Sequence, residues 1–127
     1  MPNDINKLKR LMYAANHLKK ENPVILKGRK ITLSQALKYA WYFESFRAKL
    51  RTGIYLFSYF KKDGDIREAV GTLDPALIPD DILPKSGMDP EALTPASTFR
   101  YYDLYANGWR SFCLDLFIGF VEEIKSI

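Results

Sequence analysis

Apolar residues in the first fifty positions recur at steps of three and four, the spacing of one helical face. Between residues 4 and 20 they form a single stripe: Ile5, Leu8, Leu11, Met12, Ala15 and Leu18. This pattern predicts an amphipathic helix, capped by Asp4 and ended by Asn22-Pro23. A second helix is predicted from Thr32 to about Arg51, because Thr32 and Gln35 have the spacing of a capping box.

The second predicted helix is apolar over more of its circumference than one contact requires. Its apolar residues fall in two rows, Leu33, Ala36, Leu37, Ala40 and Trp41, and Tyr39, Phe43, Phe46 and Leu50. Such a helix should be covered from two directions. We expect Trp41 in the core, with an interface anchor as the alternative. Glu44 and Arg47, three residues apart, predict an ion pair.

From Ile54 onward the period changes to two, and turn signals separate short β-branched and aromatic runs. The predicted strands cover residues 54–62, 66–72, 99–104, 109–115 and 116–121. Asp63-Gly64 and Asn107-Gly108 supply hairpin turns. Residues 73–97 hold five of the seven prolines and predict a long loop, with one helical turn at Asp89-Pro90.

The predicted fold class is therefore α+β. Two N-terminal helices precede a small five-stranded antiparallel barrel of the Sm or SH3 type, which carries the long Pro-rich loop. Closing the sheet would remove strand edges that otherwise pair with other chains. The domain division is a basic helical segment over residues 1–52 that packs on the barrel, and the barrel itself over residues 53–127.

The balance of charged residues also changes between the helical segment and the predicted barrel. Residues 1–52 hold 12 Lys or Arg against 3 Asp or Glu, whereas residues 53–127 hold 7 against 12. One interpretation is that the cations solvate outer helix faces. The other is a basic arm that approaches phosphate, because each neutralised phosphate releases a counterion.

Several classes of function are not expected. The single Cys113 and single His17 provide no disulfide and no zinc site, and no catalytic constellation stands out. We therefore predict a non-enzyme without catalytic residues, metal or cofactor. No apolar run is long enough to cross a membrane, and the start Met1-Pro2-Asn3-Asp4 lacks the layout of a secretory signal, so a cytoplasmic location without membrane contact is expected.

The candidate binding residues are arginines and aromatics of the predicted strands. They are Tyr59, Arg67, Arg100, Tyr101, Trp109 and Arg110. Arginine binds phosphate in a fork, and a neighbouring ring can stack on a base. The alternative is that these arginines pair with Glu68, Asp103 and Asp115, since opposite charges across strands stabilise a sheet.

Four segments resemble the WYL-like family of small bacterial and phage proteins, described as Sm-like or SH3-type barrels. They are residues 36–41, 57–72, 99–104 and 108–112. The resemblance covers about residues 33–121 and implies the barrel fold. Related WYL domains act as ligand-sensing or nucleic-acid-sensing modules in regulators and phage defence, so the resemblance implies binding by analogy.

Two functions follow as hypotheses. The first is a non-enzymatic binding or regulatory module that recognises nucleic acid or a nucleotide, with strand residues making contacts and the basic helices adding affinity. The alternative is a protein-interaction or assembly module of phage or mobile-element origin. It would act through a host-protein interface or through a homo-oligomer formed by the second helix.

Overall fold

The computed structural model describes residues 2–79 and 97–124. Its helices are α1, Pro2–Glu21, and α2, Leu33–Leu50. The strands are β1, Ile54–Phe60, β2, Ile66–Thr72, β3, Thr98–Asp103, β4, Gly108–Cys113, and β5, Phe117–Ile124. Single helical turns cover Val24–Leu26, Pro75–Leu77 and Leu114–Leu116. The predicted α+β order is confirmed, while the turn at Asp89-Pro90 and most of loop 73–97 lie outside the described residues.

The ends of the helices follow the predicted local chemistry. Thr32 Oγ1 accepts the Gln35 backbone N–H at 3.2 Å, and Gln35 Oε1 accepts the Thr32 backbone N–H at 2.9 Å. The predicted capping box at the start of α2 is therefore confirmed. At the end of α1, Asn22 adopts a φ of 57° and its N–H bonds the Leu18 carbonyl at 2.8 Å, which turns the chain out of the helix.

The buried face of α2 differs from the predicted one at Trp41. Ala36, Ala40 and Phe43 are buried, whereas Trp41 is 46% exposed, so the prediction of a core tryptophan is wrong. Small alanines on the buried face let α2 approach its neighbours closely, and the large indole lies on the flank of the helix.

The sheet is antiparallel with the order β4-β3-β2-β1-β5. The β1–β2 hairpin pairs Ile54 with Thr72 and turns through Gly64, whose φ is 93°. The β3–β4 hairpin turns through Asn107, whose φ is 54°. Both predicted hairpins are therefore confirmed.

The predicted closure of the sheet into a barrel is not found. β4 and β5 form the two edges, and no ladder joins them within residues 2–79 and 97–124. The chain passes from one edge to the other through only Leu114–Leu116, so the edges lie close together. The rings of Phe112 on β4 and Phe117 on β5 are 5.4 Å apart. Side-chain packing fills the gap that hydrogen bonds would span in a closed barrel.

An aromatic cluster joins the helices to the buried face of the sheet. The Phe46 ring of α2 stacks on Phe99 at 5.2 Å, and Phe99 stacks on Phe112 at 5.1 Å. Gly71 lies beneath this cluster, where an added Cβ would come within 2.7 Å of Tyr101 Cδ2. Close packing therefore requires glycine at this position. A glycine near a strand end more often marks a turn or a bulge.

A buried ion cluster holds the helices together. Arg47 Nη1 donates to Glu44 Oε1 at 2.8 Å, which confirms the pair predicted from their spacing. Arg10 of α1 donates to both Glu44 oxygens, at 2.9 and 3.1 Å. Arg47 also donates to the Thr98 carbonyl and lies over the Phe99 ring, so the cluster links α1, α2 and β3.

Candidate ligand-binding cleft

Two of the six predicted binding residues lie in the core. Tyr59 and Tyr101 are only 3% and 0% exposed, and their hydroxyls are 2.7 Å apart. Strand alternation places Phe57 and Tyr59, and Phe99 and Tyr101, on the face of the sheet that is buried against the helices. The sequence-based hypothesis that these two rings stack on a base is corrected accordingly, because Tyr101 is fully enclosed and Tyr59, although it borders a cavity, keeps only 3% of its surface exposed.

A chain of polar contacts leads from these tyrosines to Arg67. Tyr101 Oη donates to Asp103 Oδ2 at 3.4 Å, and Arg67 Nε lies 3.8 Å from the same oxygen. Burial, followed by the hydrogen bond with Tyr59, raises the pKa of Tyr101, so its phenol stays neutral. Asp103 Oδ1 accepts the backbone N–H groups of Tyr105 and Ala106. The buried Asp103 thus forms an ion pair with Arg67. This is one of the arginine–carboxylate contacts that the alternative interpretation predicted.

Arg100 and Trp109 form a separate pair on the β3–β4 hairpin. The Arg100 guanidinium carbon lies 4.5 Å from the Trp109 ring centroid, and Tyr102 meets the same indole edge-on at 6.0 Å. The β3–β4 register sets Tyr102 opposite Trp109, on the side of the hairpin away from Phe99 and Phe112. A guanidinium over an indole contributes about 0.5–1 kcal/mol at an exposed site.

Arg110 lies opposite the buried Tyr101 in the register but is itself exposed. Its Nη1 donates to the Trp109 carbonyl at 3.0 Å. Arg110 and Arg67 both line one cavity of about 280 Å³, whereas Arg100 does not. The structure therefore brings two of the three predicted arginines together.

Lys61 and Lys62 complete this cavity. Its lining is Tyr59, Phe60, Lys61, Lys62, Arg67, Thr98, Arg110, Ser111, Phe112, Cys113 and Leu116. Among these described residues every charged side chain is a cation. We call the four cations, Lys61, Lys62, Arg67 and Arg110, the basic cleft. Asp63 lies 3.6 Å from Lys61 on the exposed hairpin turn, which lowers the local positive potential in part.

Lys61 and Lys62 are not among the binding residues predicted from the sequence, although a signal for them is present. Lys61 and Lys62 directly precede the Asp63-Gly64 turn, so they had to lie at the tip of the β1–β2 hairpin. Only the position of β4 against that tip shows that Arg110 faces them, and no local pattern encodes this placement.

Residues 2–79 and 97–124 contain no group of three His, Cys, Asp or Glu side chains arranged to hold a metal ion. His17 Nε2 lies 2.7 Å from Asp115 Oδ1, a contact that ties α1 to the turn before β5. Within the described residues, no helix has the length and apolar character needed to span a membrane.

A protein-family model described as WYL_2, Sm-like SH3 beta-barrel fold, matches residues 43–118. The match runs from the second half of α2 to the start of β5 and covers more than half of the chain. It includes all four residues of the basic cleft. No curated protein and no solved structure matches the chain.

Proposed function

The chain belongs to the WYL_2 family of Sm-like SH3 beta-barrel fold, and from that premise we propose that it is a binding module for a nucleotide or a nucleic-acid strand. The observation that carries the proposal is the basic cleft. Four cations line one cavity, and no carboxylate is among its described lining residues. Concave cationic sites attract phosphate because they concentrate positive potential.

The size and chemistry of the cleft suit one phosphate-bearing unit. A cavity of about 280 Å³ is at the lower end of the range for small-molecule sites, about 300–1,000 Å³. Arg67 and Arg110 provide planar guanidinium groups for forked phosphate contacts, and Lys61 and Lys62 provide point charges. Duplex nucleic acid is too wide to enter such a space, so a nucleotide or a single strand is the favoured ligand.

Trp109 is the aromatic residue that we assign to base contact. It is partly exposed, and Arg100 already lies over its ring. Trp109 lies on the other side of the β3–β4 hairpin from the cleft, so a strand held by its phosphates in the cleft would have to pass over the β4 edge to reach it. Stacking of this kind contributes about 1–3 kcal/mol per base. The basic residues of the helical segment add longer-range attraction.

We also propose that the module acts without catalysis. Among the described lining residues of the cleft there is no imidazole and no carboxylate that could serve as a general base. Lysine, tyrosine and cysteine side chains do line the cleft, and we assign the two lysines to phosphate binding.

The experiment is a fluorescence-anisotropy titration of the full chain with labelled ATP, labelled oligothymidylate and a labelled duplex. The cleft variant changes all four cations: Lys61→Gln, Lys62→Gln, Arg67→Gln and Arg110→Gln. The control variant changes exposed lysines of the helices: Lys9→Gln, Lys19→Gln, Lys20→Gln and Lys49→Gln. We expect the cleft variant to lose at least tenfold in affinity for the single strand or for ATP, and the control to lose less than threefold. Equal losses in the two variants, with both folded by circular dichroism, would contradict a specific cleft.

A second candidate is an assembly module, favoured by the exposed side chains of α2. Trp41 and Leu33 are both exposed on that helix, and large exposed apolar residues are enriched at protein interfaces. Light scattering on the titration samples separates the two functions. Assembly would be favoured if the chain forms a salt-insensitive oligomer that dissociates in Trp41→Ser and if it binds neither nucleotide nor single strand.

A further inference from the structure

A larger cavity, of about 700 Å³, lies between the segment before α2, the first half of α2 and the start of β5. Its lining residues are Pro23, Leu26, Arg29, Lys30, Ile31, Gln35, Lys38, Tyr39, Tyr42, Phe43, Leu114, Phe117, Ile118 and Gly119. None of them lines the basic cleft. The two cavities can therefore be tested independently.

The described lining of this cavity is divided between apolar walls and cations. Phe43, Leu114 and Phe117 are buried side chains of the core, and they close the cavity on the inside. The charged residues are Arg29, Lys30 and Lys38, all exposed, and no carboxylate is among the described lining residues. A site with apolar walls and cations at its opening complements a molecule that is apolar at one end and anionic at the other.

Tyr42 adds an aromatic wall that stays uncharged. Its ring lies 5.5 Å from Phe43 and 6.0 Å from Phe117. Burial raises the pKa of Tyr42 to about 12, so its phenol does not ionise at neutral pH and does not repel an anion.

We propose that this cavity binds a small amphipathic anion, a molecule with an apolar or aromatic body and one anionic group. The body packs on Tyr42, Phe43 and Phe117, and the anionic group contacts Arg29, Lys30 or Lys38. A volume of about 700 Å³ lies within the range of small-molecule sites, about 300–1,000 Å³. Carboxylates and phosphates share this chemistry, and the experiment distinguishes them.

Gly119 offers a way to fill the site without disturbing the core. It lines the cavity, and a Cβ added to it would meet no atom within 4 Å. A side chain added at this position therefore meets no clash at its first carbon, and leucine is chosen to extend from there into the space beside the lining residues.

The experiment uses two fluorescent probes with the same kind of rings. 8-Anilinonaphthalene-1-sulfonate carries one anionic group, and N-phenyl-1-naphthylamine carries none. We expect saturable binding of the sulfonate probe to the folded full chain. The variant Arg29→Gln, Lys30→Gln and Lys38→Gln should weaken the sulfonate at least tenfold and the neutral probe less than threefold. Gly119→Leu should weaken both probes.

Controls separate this site from the basic cleft and from unfolding. Lys9→Gln, Lys19→Gln and Lys20→Gln remove three exposed charges of α1 and should leave both probes unaffected. The cleft variant should also retain sulfonate binding, so failure of the proposed function leaves this test intact. Urea unfolding of each variant confirms that it is folded at the titration conditions.

Competition then identifies the anionic group. Decanoate and decyl phosphate are titrated against the bound sulfonate probe, with decanol as the uncharged comparison. Displacement by either anion at lower concentration than decanol supports the proposal and identifies the favoured group. The proposal is overturned if the folded chain gives no saturable sulfonate binding, if the two site variants bind like the wild type, or if decanol competes as well as both anions.

Discussion

Replacing Glu44 with glutamine removes the negative charge at the centre of the buried ion cluster. Glu44 Oε1 accepts from Arg47 Nη1 at 2.8 Å and from Arg10 Nε at 2.9 Å. The side chains of Glu44 and Arg47 are 8% and 6% exposed, whereas Arg10 is 23% exposed and can be hydrated. Glu44→Gln therefore removes the carboxylate that Arg47 Nη1 contacts while the Arg47 guanidinium stays buried. Breaking a buried pair in this way costs about 3–5 kcal/mol.

The assay is urea unfolding followed by far-ultraviolet circular dichroism. With a slope of about 2 kcal/mol per molar urea, the midpoint of Glu44→Gln should fall by about 2 M. Glu21→Gln, at the exposed end of α1, is the matched control and should change the free energy of unfolding by less than about 0.5 kcal/mol. Adding Arg47→Met to Glu44→Gln also removes the buried guanidinium and should recover part of the loss. A Glu44→Gln protein within about 1 kcal/mol of the wild type would refute this account of the cluster.

Three further predictions concern the core behind the basic cleft. Tyr101→Phe leaves the buried Tyr59 hydroxyl without its 2.7 Å partner and should cost about 1–3 kcal/mol in urea unfolding, part of which Tyr59→Phe restores in the double variant. The pKa of Tyr101 is raised in the folded chain from 10.0; its contribution to stability is therefore full below pH 10 and declines at higher pH, where the unfolded chain ionises first. Unfolding at a series of alkaline pH values should show a decline in stability that is shallower in Tyr101→Phe by up to about 1.4 kcal/mol per pH unit, while the buried Tyr42, whose pKa is about 12, accounts for part of the decline that remains. Gly71→Ala places a Cβ 2.7 Å from Tyr101 Cδ2 and should lower the free energy of unfolding by about 1–3 kcal/mol, whereas Gly119→Ala, which meets open space, should not.

Local chemistry explains the elements that sequence reasoning predicted correctly. The capping box at Thr32, the Glu44–Arg47 pair and the two hairpin turns depend on residues at most five positions apart. Spacing within one element determines such contacts, so they can be derived before any tertiary structure is known.

The errors concern contacts between distant segments. β1 is apolar on both faces, so alternation alone did not show that Tyr59 lies on the buried face. The gap between β4 and β5 depends on how Phe112 packs on Phe117 across the turn, which hydropathy does not encode. Trp41 lies on the flank because Ala36 and Ala40 occupy the buried face.

The candidate site was predicted only in part, because it too depends on contacts between distant segments. Arg67 and Arg110 were identified from residue type. That they line one cavity with Lys61 and Lys62 depends on how the strands are placed in the folded sheet. The larger cavity beside α2 combines three segments that are far apart in sequence, so no motif marked it.

The most direct test of the central claim is the salt dependence of binding to single-stranded oligothymidylate. If all four cations of the basic cleft contact phosphate, affinity should fall about 50-fold between about 50 mM and about 200 mM salt, since each contact contributes a slope of about 0.7. The cleft variant should bind at least tenfold more weakly and with a much smaller salt slope. Single-strand binding with the same affinity and the same slope in the wild type and the cleft variant would contradict the claim that the cleft is the binding site.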